Sequence, residues 1–310
     1  MSKCLKRGLE LLDVVWEWSL DVQCLLDEFD GALVESLFDD GAVEVEDDEL
    51  HVSYIHGIGI YKSVAGCICD MFVGVDLAWS RGNETGVAVL SDGDPVRVET
   101  AGFAVSDEDI LDMIPKRAKL VAVDAPLVVP NDEGQRPAED ELRPVYHEYN
   151  AGPYPANRNW LEKMCGEVRG ENFVDVLRDE GFEHNPHVDH SVEKGVLEVY
   201  PHPAMVALFE LDTVIPYKDK QGRSKQDQVD GLRRFHTLLG EETRLVKSSL
   251  PDFTVSAEDT KAALKRFEDI LDGVLSAYIA WFLWHNSDRV RVFGSQAGGY
   301  ITSPTLPKHT

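Results

Sequence analysis

The sequence predicts an α/β protein built on a mixed sheet, and three observations lead there. Phe72 to Trp79 (FVGVDLAW) is a short apolar run of strand formers that presents Asp76 as it ends. Lys119 to Leu127 (KLVAVDAPL) is a second such run, ending in Asp124 and breaking at Pro126. Between them the order is strand, strand, helix, so the whole unit reads strand, strand, strand, helix, strand. Two strands that each end in an acid gather carboxylates beyond one sheet edge, where open α/β sheets place their chemistry.

In chain order, residues 5–37 have apolar positions near helical spacing, with Leu9, Leu12, Val15 and Trp16 and then Val22, Leu25, Leu26 and Phe29. Asp39 to Ser63 reads as a turn, a strand, an acidic loop and another strand. Residues 1–70 carry 16 acids, 4 Lys and Arg residues and four of the five cysteines, a composition unlike the rest. Met71 directly precedes the first core strand, so a domain is expected over 71–310. The preceding 70 residues are then either an acidic appendage or a mis-assigned start.

After Asp76 comes Thr85 to Leu90, then the hairpin signal Asp92-Gly93, then a strand from Val96 to Thr100. Ser106 with Asp109 three residues on is a capping box for a helix that Pro115 ends. The strand 119–124 should then return parallel to the first by a right-handed crossover. No GxGxxG follows Asp76, which argues against a dinucleotide-binding unit.

Residues 126–190 are rich in Pro and aromatic residues and read as an inserted cap region, with short helices at 138–142, 159–165 and 171–179. Arg136, Arg143, Arg158 and Arg169 concentrate basic charge there, as candidate phosphate contacts or as partners of nearby acids. Gly195 to Tyr200 is another strand, with Glu198 near its end, and Pro203 suits the first turn of the helix that follows. The tract IPYKDKQGRSKQ is the most basic in the chain and reads as solvated surface. Helices are expected over 227–239 and from a cap at Ser256 through Phe282, the latter carrying Glu268, Asp269 and Asp272. A last strand is expected over Arg289 to Phe293.

The formal net charge of -26 points to a surface that repels nucleic acid and anionic membrane, and there is no apolar run long enough for a membrane span. Acids at Glu10, Asp13 and Glu17 interrupt any signal-peptide pattern. Five irregularly spaced cysteines are no disulfide framework, and they fit a reducing, cytoplasmic compartment.

FVGVDLAW, AVDAPL, the EDELR stretch, LEVYPHPA followed by YKDKQGR, and EDILDGVLSAYIAW together resemble the DUF429 family over about residues 71–295. The resemblance implies an RNase H-like fold, a mixed five-stranded sheet flanked by helices, and a predicted nuclease activity. It implies Asp76, Asp124 and Asp272 as metal-binding acids, with Glu198 and Asp269 at further acidic positions. Gly273 departs from the related pattern, which usually has Ala there.

The chemistry of the residues is compatible with that implication. Two divalent ions about 4 Å apart need carboxylates drawn from several elements, and Mg2+ or Mn2+ suits oxygen ligands. Asp76 would bridge the ions, Asp124 and Asp272 would each hold one, and Glu198 or Asp269 would be the fourth catalytic acid. Lys218, Arg223, Arg136 and Arg143 are the candidates for contact with a nucleic-acid phosphate. His202 would carry a proton or simply hold its turn. Two rivals stand beside this reading. One is an actin-like small-molecule kinase or ATPase, which lacks support in any duplicated unit here. The other is a non-catalytic interaction protein with an acidic pocket. An isolated aspartate at a strand end more often serves as a cap, so the argument rests on several such acids meeting.

Overall fold

The structure, a computed structural model, describes residues 43–46, 49–52, 64–65 and 69–307. The chain divides into two compact units, residues 1–69 and 70–310. In the first, β1 (Val43–Glu46), β2 (Glu49–Val52) and β3 (Val64–Ala65) form an antiparallel sheet. The helices expected over 5–37 lie outside the described residues.

The second unit opens with β4 (Met71–Asp76), β5 (Thr85–Ser91) and β6 (Arg97–Ala104), an antiparallel meander turned at Asp92-Gly93. Helix α1 (Asp107–Met113) carries the expected capping box, Ser106 and Asp109 bonding each other's backbone N–H. It leads into β7 (Ala118–Val123), parallel to β4. Residues 126–190 hold α2 (Pro137–Tyr146), α3 (Arg158–Cys165) and α4 (Arg169–Asp179). Then come β8 (Glu183–His184), β9 (Gly195–Glu198), α5 (Pro201–Leu208), α6 (Lys225–Glu241) and α7 (Lys261–His285). The hairpin β10 (Val290–Ser295) and β11 (Gly299–Pro304) closes the unit.

The sheet order is β6-β5-β4-β7-β9-β8, so the expected five strands become six. The extra strand, β8, is only two residues long and pairs parallel to β9 at the edge. So short an edge strand leaves no period in the sequence to read. The four inner strands, β5, β4, β7 and β9, are buried on both faces, which explains their near-continuous apolar runs, whereas the edge strand β6 is largely exposed. Phe72, Ala88, Leu120, Ala122 and Leu197 face the layer of α6 and α7, where Leu232, Phe235, Leu271 and Leu275 fill the core. Val73, Val75, Val121 and Val123 face α1 and α4, against Ile110, Phe173 and Leu177.

Two further expectations are corrected. Thr260, not Ser256, caps α7, its hydroxyl accepting from Ala263 N–H. Ser256 and Asp259 instead close a separate turn, with Ser256 N–H donating to Asp259 Oδ2 at 2.7 Å. The last strand pairs with β11, which the sequence reading missed. No helix among the described residues is long and apolar enough to cross a membrane.

Candidate functional site

The parallel register of β4 and β7 pairs Val75 with Val123, so Asp76 and Asp124 leave the sheet side by side. Asp124 N–H donates to the Val75 carbonyl at 2.8 Å, which continues the ladder by one bond and fixes the two acids relative to each other. Both are half-buried. Over them crosses α7, seated unusually close because glycines remove the side chains in its way. A Cβ on Gly74 would lie 2.1 Å from Ala277 N, and one on Gly86 1.8 Å from Asp269 O. The Gly273 departure has its reason here: a Cβ on it would stand 3.1 Å from the Gly86 carbonyl carbon.

This close crossing lowers Glu268, Asp269 and Asp272 into the core, each buried. Asp272 is fully buried, its Oδ1 accepting from the Tyr217 hydroxyl at 2.6 Å and its Oδ2 lying 3.0 Å from Lys218 Nζ. The Lys218 ammonium also sits over the Tyr217 ring, 5.6 Å from its centroid. Arg223 Nη1 donates to the Lys218 carbonyl, pinning the loop that delivers the lysine. On the outer side Lys265 contacts Asp269 Oδ1 and lies 3.4 Å from Glu268 Oε1.

Electrostatics follow from this crowding. Burial pushes Asp76 well above the usual carboxylate range, Asp272 adds to the push and Lys218 opposes it. Asp124 is raised by burial and then by Asp76, again against Lys218. Burial likewise raises Asp269 against the pull of Lys265, and burial with Asp272 lifts Glu268 to about 7. Burial opposes the charge on Lys218, but Asp272, with Tyr217, Asp76 and Asp124 behind it, outweighs that and holds the amine well above its ordinary value.

The remaining expected residues are placed elsewhere or otherwise engaged. Glu198 is buried against Arg136, with Nη2 to Oε1 at 2.6 Å and Nη1 to Oε2 at 2.9 Å, and it also accepts from Leu127 N–H. Arg136 Nε and Nη2 donate to Glu139 as well, at 2.8 and 2.6 Å. Arg143 donates to Gln135, Arg158 pairs with Glu171, and Arg169 pairs with Asp107 while donating to the Ala78 carbonyl. His202 lies beside the site, its Nδ1 3.1 Å from the Tyr200 hydroxyl. Burial, then Lys218 and Lys220, push its ring well below the ordinary histidine value, so it is uncharged near neutrality.

Among the described residues, no three or more His, Cys, Asp and Glu side chains stand so as to hold a metal ion. That overturns the expectation of a magnesium- or manganese-dependent nuclease with a two-metal carboxylate site. The physical reason is visible around each acid. Lys218 pairs with Asp272, Lys265 holds Asp269 and Glu268, and Arg136 holds Glu198. Organic cations supply the charge compensation that metals would.

A family described as a protein of unknown function (DUF429) matches residues 74–297. The chain belongs to the DUF429 family. No curated protein and no solved structure matches it. The stretch shared with DUF429 includes Asp76, Asp124, Lys218 and Asp272.

Two residues that contact these acids, Tyr217 and Lys265, were not singled out from the sequence. Tyr217 precedes Lys218 inside a tract read as solvated surface, yet it is fully buried. An aromatic beside a lysine in an otherwise polar loop was the available signal. Lys265 lies one helical turn before Asp269, a spacing that reads as an ordinary surface pair until the helix is seated.

Proposed function

We propose that this domain is a ligand-binding domain whose pocket at the strand ends takes an organic cation, a protonated amine or a guanidinium, between Asp76, Asp124 and Asp272. The observation that carries this reading is the chain's own amine, Lys218, whose Nζ lies 3.0 Å from Asp272 Oδ2 with the Tyr217 ring beneath it. Burial raises the pKa of Asp76 and Asp124, and such carboxyls gain by meeting a cation, because the cation favours their ionised forms and offsets the desolvation. Asp76 and Asp124 keep part of their surface open, so they are the acids an incoming group meets first. Asp272, fully buried behind them, anchors Lys218.

We infer also that the sheet is RNase H-like. What supports this is the succession of an antiparallel meander, β6-β5-β4, followed by the parallel strands β7 and β9. This is a reading of topology and carries no activity with it.

The test is chemical replacement of the lysine. Lys218→Ala removes three methylenes and the ammonium, a fragment that n-propylamine restores. The amine should raise the variant's thermal midpoint saturably, whereas 1-propanol and sodium chloride at matched concentration should not. In the unaltered chain, 1,4-diaminobutane should bind, and Asp124→Asn should weaken that binding about tenfold, as the loss of one charge-assisted contact does. Equal responses to amine and alcohol, or diamine binding that ignores Asp124→Asn, would overturn the reading.

A further inference from the structure

The six-stranded sheet ends on one side in β8, two residues long, and on the other in β6, eight residues long. An edge strand offers a row of N–H and C=O groups to any strand that can pair with it. Natural edges are blunted by shortness, by covering segments, or by Pro and Lys. Shortness blunts the β8 side, but β6 is long and contains neither Pro nor Lys.

Only the beginning of this edge is covered. Val96 N–H donates to the Arg244 carbonyl at 3.0 Å, and the Val96 carbonyl accepts from Val246 N–H at 2.8 Å. Val98 N–H donates to the Ser249 hydroxyl at 3.0 Å. The register shift against β5 follows at once, skipping Glu99, and from Thr100 to Ala104 the pairing with β5 is regular. Along that regular stretch β5 takes one side, and among the described residues nothing hydrogen-bonds to the other.

The side chains there are unusual for so acidic a chain. Phe103 is 42% exposed and Val105, just past the strand, 40%. Ala101 packs against the α6 and α7 layer, and Phe103, two residues on, stands on the same side, where the Arg266 guanidinium of α7 lies 4.4 Å from its ring centroid. The edge therefore carries an apolar rim that continues the core layer outward.

Charge says what fits it. Arg97 at one end of β6 is exposed, and so is Glu108 in the first turn of α1 at the other end. Neither has an ion-pair partner among the described residues. A strand entering antiparallel from a second copy exchanges the two ends, which carries each Arg97 toward the copy's Glu108 and each Phe103 toward the copy's apolar rim. A parallel entry would set Arg97 against Arg97, and only the antiparallel one has two-fold symmetry. We infer that β6 is a docking edge for a second copy of this chain, the two strands pairing antiparallel across a two-fold axis so that one sheet runs through both copies.

The test follows the mass of the full chain by sedimentation equilibrium over a wide range of concentration, together with amide hydrogen exchange. The mass should pass from one copy to two as concentration rises, and the amides of residues 100–104 should exchange more slowly in the dimer. Phe103→Lys places a charge on the edge and should weaken dimerisation about tenfold or more. Arg97→Glu and Glu108→Arg each set like charges together at both symmetric ends, and each should weaken it about tenfold. Combining the two should restore it, because the pair is then reversed rather than broken. Should Phe103→Lys fail to fold, these exposed charge variants decide. A single-copy mass at every concentration, a dimer that leaves exchange at 100–104 unchanged, or a double variant no stronger than either single one would each overturn the inference.

Discussion

Lys218 Nζ stands 3.0 Å from Oδ2 of Asp272, the fully buried acid whose other oxygen takes the Tyr217 hydroxyl. Removing the lysine alone leaves a carboxylate in the core with one neutral partner. Lys218→Met should therefore lower stability by about 3 kcal/mol, as breaking a buried pair does. Adding Asp272→Asn should recover part of that loss, because the stranded charge goes with it. Urea unfolding of both single variants, the double variant and the unaltered chain measures both, and strictly additive losses would mean the two side chains do not interact.

Arg136 with Glu139 and Glu198 is the second buried ion cluster. Arg136→Met strands two acids and should cost about 4 kcal/mol. Neutralising all three together, with Glu139→Gln and Glu198→Gln, should cost less than Arg136→Met alone. The same unfolding measurement decides, and a triple variant less stable than the single one would show that the ions, rather than their pairing, hold this region.

Gly74→Ala and Gly86→Ala put a methyl group into helix backbone, where no side chain can move aside. Each should cost about 3 kcal/mol or more, by overpacking that only displacement of α7 relieves. Gly152→Ala is the control, since nothing lies within 4 Å of its Cβ. Stability of Gly74→Ala equal to that of Gly152→Ala would mean the helix does not sit this close.

Glu268 makes a pH prediction. Its carboxyl is lifted from 4.5 to about 7. Through that window the native state holds a proton that the unfolded chain has lost, so unfolding free energy falls as pH rises. Glu268→Gln cannot titrate, and its stability relative to the unaltered chain should rise steadily between pH 4.5 and 7. A difference that is flat across this range would place Glu268 in ordinary solvent.

Much of this was legible in the sequence wherever a local signal was strong. The meander, the Ser106 box and the apolar face of α7 followed from strand runs, a turn dipeptide and helical spacing, and the structure places each of them where its residues indicate. The start of α7 did not, because Ser256-Asp259 and Thr260-Ala263 both offer a cap and only packing chooses between them. Convergence of Asp76 and Asp124 could be argued from two like strand ends. Occupation of their pocket could not, since Lys218 arrives from a loop some ninety residues after Asp124 whose composition resembles solvated surface. Charge compensation by Lys265, Lys218 and Arg136 is a matter of distance, and a list of acids carries no distances.

The seating of α7 on bare backbone at Gly74, Gly86 and Gly273 divides the pocket into a fixed part and an exchangeable part. A helix resting on side chains can slide as they repack; one resting on peptide groups is indexed to the strands residue by residue, and a single insertion in it would turn Asp272 away by about 100°. The acids are thereby locked to one another. The cation is not, for it comes from a loop, held through Tyr217, Arg223 and the Lys261–Asp219 pair. Changes in what this pocket holds would therefore accumulate in the loop, while the helix and its glycines stay as they are.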